Sequence, residues 1–241
     1  MLEVSTLCCL RGEREVFRDV TFSVGSGQWV HVRGENGAGK TTLLRALTGL
    51  LRPTAGTIAW NGQTLHALGE EYHRSILYLG HANGIKDDLD AQENLRAVQA
   101  IADSSSEVQV TDAMRALGLD PANTTPIRAL SQGQKRRVAL ARLALGEARL
   151  WILDEPFAAL DTGAISSVLA LMDRHLKKGG ALVLTSHQTV ALTQPGTEVW
   201  IGPSNGALSD SMNGALNNSL NGALNNSLIG ALNNSLIGKT A

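Results

Sequence analysis

The stretch GENGAGKT, residues 34–41, sets glycines at 34, 37 and 39 ahead of a lysine and a threonine, in the spacing G-x-x-x-x-G-K-[ST]. Phosphates crowd several negative charges into a small volume. A site for them needs open backbone N–H groups, hence glycines, and a helix N-terminus behind them. On that reading Gly34, Glu35, Asn36, Gly37, Ala38 and Gly39 form the cradle. Lys40 reaches the β- and γ-phosphates, and the Thr41 hydroxyl ligates Mg2+. At a glycine frequency of about 7%, chance gives this match in roughly one chain in a hundred of this length, so a bare Gly-rich turn is the poorer reading.

Two further stretches carry chemistry. WILDEP, residues 151–156, is an apolar run ending in two carboxylates. Oxygen donors suit a hard cation. Asp154 is therefore placed for the Mg2+ shell, and Glu155, where strand turns to loop, for activating an attacking water. Alone the pattern is a strand end exposing charge; beside a phosphate loop it gains meaning. In LSQGQKRRVALARLAL, residues 130–145, Ser131 and Gln134 make an S-x-x-Q capping box. Gly133 between them leaves backbone N–H groups open at a helix start, which attracts anions. One chain then holds two phosphate-facing helix starts, at Lys40 and at Ser131. A single ATP uses both only if they come from different subunits, across a homodimer.

These groups need a scaffold. LEVSTLCCL, VFRDVTFSV and TIAWNGQTL alternate in the manner of an antiparallel sheet, broken by Gly and Asn turns. Between them QWVHVR is a strand running into the glycine turn. KTTLLRALTGLL follows with apolar Leu43, Leu44, Leu47 and Leu50 at helical spacing, ended by Gly49 and Pro53. From about residue 84 to 146 the chain reads as helices: QENLRAVQAIA, started by an Asp90–Glu93 capping box, then VTDAMRAL, then SQGQKRRVALARLAL. RLWILDEP, AISSVLALMDRHLKK and ALVLTSHQ give apolar strand, helix, apolar strand, an order that implies parallel pairing with crossover helices.

Composition limits the partners. Lys and Arg total 21 against 22 Asp and Glu, a net charge of −1 that argues against a nucleic-acid partner held by bulk electrostatics. The adjacent Cys8 and Cys9 cannot staple a fold and fit a reducing cytosol. With no long apolar run and no signal-peptide pattern, we expect a cytoplasmic chain that meets a membrane only through partners. From Asn205, NGALSDSM, NGALNNSL, NGALNNSL and IGALNNSL repeat an eight-residue unit as far as Leu236. Leu or Met at every fourth residue drifts around a helix without forming one face, so residues 204–241 are expected to be a low-complexity, disordered tail.

LSQGQ resembles the LSGGQ signature of ABC ATPases. With GENGAGKT, WILDEP, the Leu160–Asp161 pair and His187 in LTSH, the order and spacing resemble a complete ABC nucleotide-binding domain over roughly residues 1–203. The resemblance implies an α/β fold: an ABC-type P-loop NTPase with an antiparallel β subdomain, a RecA-like core and a helical signature subdomain at about 84–146. By position it implies that Gly37, Gly39, Lys40, Thr41 and Thr42 cradle phosphate and Mg2+, that Glu155 is the general base, and that His187 meets the γ-phosphate and holds the attacking water. Ser131, Gly133 and Gln134 would close on the partner subunit's ATP, and Asp161 would signal across the interface. Phosphoryl transfer of this kind rests on positioning and charge compensation.

Two positions depart from the family. Where it places an adenine-stacking aromatic, this chain has Arg11. A guanidinium can stack on a base; a solvated turn arginine is the equal alternative. Where the family has a glutamine that senses γ-phosphate and touches the membrane subunit, YLGH puts His81. YLGH with GIK, ALSQGQKRRVALARL, DEPFAALD and LTSHQ is most similar to the heme-exporter ATP-binding subunits of bacterial cytochrome c maturation, the CcmA family. That resemblance implies an ATP-hydrolysing motor at the cytoplasmic face of the inner membrane, driving integral subunits of the B type with a C-type subunit and releasing holo heme chaperone. The residues show no heme ligand set of their own. An ABC ATPase for another small molecule is the alternative. An ABC-type DNA-repair or chromosome head is disfavoured, because only about 90 residues separate Lys40 from Ser131, with no sustained heptads for a coiled coil.

Overall fold

A computed structural model of the chain describes residues 1–101 and 109–202. The chain divides into two units, Met1–Pro203 and Ser204–Ala241. All described residues belong to the first, and the octapeptide repeat lies outside them.

The first five strands in the chain are β1 (Leu2–Arg11), β2 (Arg14–Val24), β3 (Trp29–Arg33), β4 (Ala55–Trp60) and β5 (Gln63–Thr64). Four of them form the expected antiparallel sheet, in the order β2-β1-β4-β5. Alternation buries Leu2 and Val4 of β1, and then Leu7 and Cys9. The change of phase falls at Thr6, at φ 46°, inside a register shift between Val4 and Leu7.

β3 leaves its sequence neighbours for a second sheet with β6 (Ile76–Leu79), β7 (Leu150–Leu153), β8 (Ala181–Thr185) and β9 (Gly196–Trp200). Its order is β6-β7-β8-β3-β9 and every pairing is parallel. Leu150, Ile152, Ala181 and Val183 face one core with the antiparallel sheet, while Trp151, Leu153, Leu182 and Leu184 face another. Both faces are covered, so these strands are apolar without alternation.

Helix α1 (Lys40–Leu47) buries Leu43, Leu44 and Leu47. It stops sooner than its apolar spacing implies: Gly49 turns the chain at φ 76°, and Leu50, expected on the same face, is 70% exposed. Two short helices that the sequence reading did not foresee follow, α2 (Leu65–Leu68) and α3 (Glu70–Ser75). Residues 84–90 are turn and loop, not helix. The helical segment then holds α4 (Ala91–Ile101), α5 (Val110–Ala116) and α6 (Gln132–Leu145), and α7 (Thr162–Lys177) crosses from β7 to β8. Both capping boxes form. Asp90 and Glu93 exchange bonds at 2.8 and 2.9 Å, and Ser131 and Gln134 at 2.9 and 3.2 Å. Edge strand β9 was also missed, because GTEVW has neither an apolar run nor a buried face. Among the described residues no helix is long and apolar enough to cross a membrane.

Candidate functional site

β3 ends at Arg33 and α1 starts at Lys40, so the glycine loop spans a strand end and a helix start. Gly39 caps α1 at φ 100°, and a Cβ there would lie 2.4 Å from Val16 Cγ1. Glycine alone meets both demands. Lys40 Nζ lies across the loop and donates to the carbonyls of Gly34 at 2.8 Å and Glu35 at 3.2 Å. From the next residue, Thr41 Oγ1 donates to Asp154 Oδ2 at 2.7 Å.

Asp154 follows β7 and is 2% exposed. Its second oxygen, Oδ1, accepts from Thr185 Oγ1 at 2.8 Å, and that hydroxyl in turn accepts the Glu155 N–H at 2.9 Å. Glu155 holds φ 47°, the left-handed region that non-glycine residues avoid. Its carboxylate meets His187, whose N–H donates to Oε2 at 3.3 Å and whose Nε2 stands 3.5 Å from Oε1. Buried Oε1 accepts no hydrogen bond among the described residues.

Gly39, Lys40, Thr41, Asp154, Glu155 and His187 line one cavity of about 480 Å³. Of the residues expected at the nucleotide, Arg11, Glu35, Asn36, Gly37, Gly39, Lys40, Thr41, Thr42, His81, Asp154, Glu155 and His187 all line it. Gly34 and Ala38, also expected there, do not line it. A Cβ on Gly34 would meet the Ile201 carbonyl at 2.3 Å, and the Ala38 N–H is turned to Glu35 O at 3.1 Å rather than left open.

Ser131, Gly133, Gln134 and Asp161 do not line this cavity. Gly133 has a packing reason besides open amides, since a Cβ would sit 2.8 Å from the Ala159 carbonyl. Asp161 caps α7 by accepting the Ala164 N–H at 2.8 Å, and it pairs with Arg137 of α6. The Ala164 bond, with the arginine's charge behind it, holds this carboxyl below the usual aspartate range.

Sequence reasoning missed three contributors. Arg14 lines the cavity directly across the hairpin from Arg11, as a two-residue turn after Arg11 requires. Thr185 holds both carboxylate residues, and nothing in LTSH distinguishes its hydroxyl from that of Ser186. Arg136 carries no motif of its own in the sequence. It is 4% exposed, and it recurs with Leu140 and Leu143 at the helical spacing that marks an inward face. Burial pulls its guanidinium below the usual arginine range, while the charges of Asp154 and Glu155 pull it back up.

A phosphate loop and a carboxylate pair on a parallel sheet, with an antiparallel sheet and a helical LSQGQ segment beside them, define an ABC-type ATPase. The chain belongs to the ABC transporter family, whose model matches residues 17–158. Within that family it is similar to the cytochrome c biogenesis ATP-binding export protein CcmA from Escherichia coli, at 46% identity over 194 residues, 80% of this chain and 92% of that protein. Among solved structures it is similar to the ATP-binding subunit of an ABC transporter, at 33% identity and a TM-score of 0.70, covering 78% of this chain and 79% of that one. A dimeric ATP-binding cassette in a post-hydrolysis state, bound to ADP and Pi, shares the fold at a TM-score of 0.68 and 20% identity, over 78% of this chain and 88% of that one.

Proposed function

We propose that this chain is the ATP-hydrolysing motor of a heme exporter used in cytochrome c maturation, acting as a homodimer under integral subunits of the B type with a C-type subunit and releasing holo heme chaperone. The observation that carries the reading is the convergence of Lys40, Thr41, Asp154, Glu155 and His187 on one cavity, in a chain similar to CcmA over 92% of that protein's length.

The loop from Gly37 to Thr42 cradles the phosphates, with Lys40 compensating their charge. The Thr41 hydroxyl and the Asp154 carboxylate, 2.7 Å apart, are an all-oxygen pair that fits Mg2+. Bound there, Mg2+ would neutralise charge on the phosphates. Glu155 takes the proton from the attacking water, and His187 orients that water and meets the γ-phosphate. Arg11, with Arg14 opposite, flanks the base; among the described residues no Phe, Tyr or Trp lines the cavity. Ser131, Gly133, Gln134 and Asp161 serve the nucleotide of the second subunit, which accounts for their place away from the chain's own cavity. The loop carrying His81 faces the membrane subunits. The chain thus lies peripherally, at the cytoplasmic face of the inner membrane, and reaches the membrane through partners, with no nucleic acid among them.

Co-expression with B- and C-type membrane subunits tests this reading. The tagged chain should retain those subunits and support ATP-dependent release of heme-loaded chaperone, and Lys40→Ala should abolish release. Preferential capture of another exporter's subunits, or release that survives Lys40→Ala, refutes it.

A further inference from the structure

Lys135, Arg136 and Arg137 follow one another near the start of α6, and the middle member is buried. Nη2 of Arg136 donates to the carbonyls of Asp154 and Glu155, each at 2.9 Å. Nη1 donates to the Gly80 carbonyl at 3.0 Å and to Asn83 Oδ1 at 3.2 Å. A buried cation is costly unless its donors are met, and here both terminal nitrogens are, while Nε has no partner among the described residues. The planar fork suits this double engagement in a way a lysine ammonium does not.

One bond of the first pair falls on a strained residue. Glu155 keeps φ 47°, a conformation that persists in a non-glycine residue only where its surroundings over-determine it. Its N–H is held by Thr185 Oγ1, and its carbonyl accepts from Arg136 at 2.9 Å and from the Ala158 N–H at 3.2 Å. Without the shorter, charge-assisted bond from Arg136, only the turn bond from Ala158 holds that carbonyl, and the backbone can relax and swing the carboxylate from its place beside His187. The second pair of bonds falls on the ends of the Gly80–Asn83 loop, which carries His81.

We infer that Arg136 is a positioning residue for the carboxylate of Glu155, and that it links the place of the His81 loop to that carboxylate. This rests on Glu155 being the base.

Steady-state kinetics per titrated nucleotide-binding site test it, with Glu155→Gln as reference. Arg136→Lys keeps the charge and loses the fork. It should lower kcat about tenfold or more while KM and nucleotide affinity stay within about twofold, the pattern of a contact that matters only at the transition state. Asn83→Ala should lower kcat several-fold in the wild type and add nothing in the Arg136→Lys background. A normal kcat for Arg136→Lys, a loss lying wholly in KM, or additive effects overturn the inference. Should Arg136→Lys not fold, Asn83→Ala alone decides, and an unchanged kcat refutes. If Glu155→Gln turns over like wild type, the assignment of the base falls; if it is inactive while Arg136→Lys is normal, only the positioning role falls.

Discussion

Nε2 of His187 stands 3.5 Å from Oε1 of Glu155, and the His187 N–H reaches Oε2 of the same carboxylate at 3.3 Å. The two residues are 32 apart in the chain. They meet because β7 and β8 pair in parallel, with Leu153 beside Leu184, so both strands deliver their next residues to the same end of the sheet. Ligand sites gather at that carboxyl end in open α/β sheets.

Glu155→Gln keeps the shape of the side chain and removes its basicity. Hydrolysis should fall by about 10²-fold or more, while ATP binding, which we assign to the loop before α1, should be retained. Phosphate release measured alongside a nucleotide titration checks both halves. Turnover at the wild-type rate would remove Glu155 from the role of base.

Lys40→Ala removes the ammonium that lies across the loop. A hydrogen bond to a charged group contributes about 1.5–3 kcal/mol, so nucleotide affinity should weaken by roughly ten- to a hundredfold. Calorimetric titration with ATP checks it, and equal affinity contradicts the assignment.

Gly133→Ala places a Cβ 2.8 Å from the Ala159 carbonyl, a backbone atom that cannot step aside without moving the loop from Glu155 to Asp161. Such overpacking costs about 1–3 kcal/mol. We expect a lower unfolding midpoint, with ATPase activity falling further than nucleotide affinity. A variant with wild-type melting and turnover would show that the close approach does not matter.

Stability should fall in mild acid through His175. Its ring stacks on Trp151 with centroids 3.9 Å apart and bonds the Ala181 carbonyl at 3.1 Å. Burial holds its proton affinity below the ordinary histidine value, outweighing that bond. The unfolded chain therefore takes up the proton first. The contribution is complete above the unfolded imidazole's pKa of about 6.5 and is lost as pH falls below it. His175→Phe keeps a stacked ring and removes the titration. Its unfolding midpoint should drop less than that of the wild type between pH 7 and pH 5, and parallel slopes would exclude His175 as the cause.

Much of the site was legible in the chain because its chemistry is local. The phosphate loop and the Asp154–Glu155 pair are runs of neighbouring residues, and the capping boxes need residues three apart. What stayed hidden depends on burial and on strands meeting across the sequence. The hairpin that puts Arg14 beside Arg11 is implied by its two-residue turn, whereas β9 gave no signal, since an exposed edge strand has little hydrophobic pattern to show.

Sequence by itself determined the glycine loop before Lys40 and which helices are capped, since those features lie within a few residues of backbone whose geometry residue type controls. Only the tertiary structure decided that Thr41 meets Asp154, that β3 quits the antiparallel strands, and that Arg136 turns inward to hold Glu155. Those outcomes depend on parallel pairing and on a cation finding fixed acceptors in the interior, and neither leaves a periodic trace along the chain.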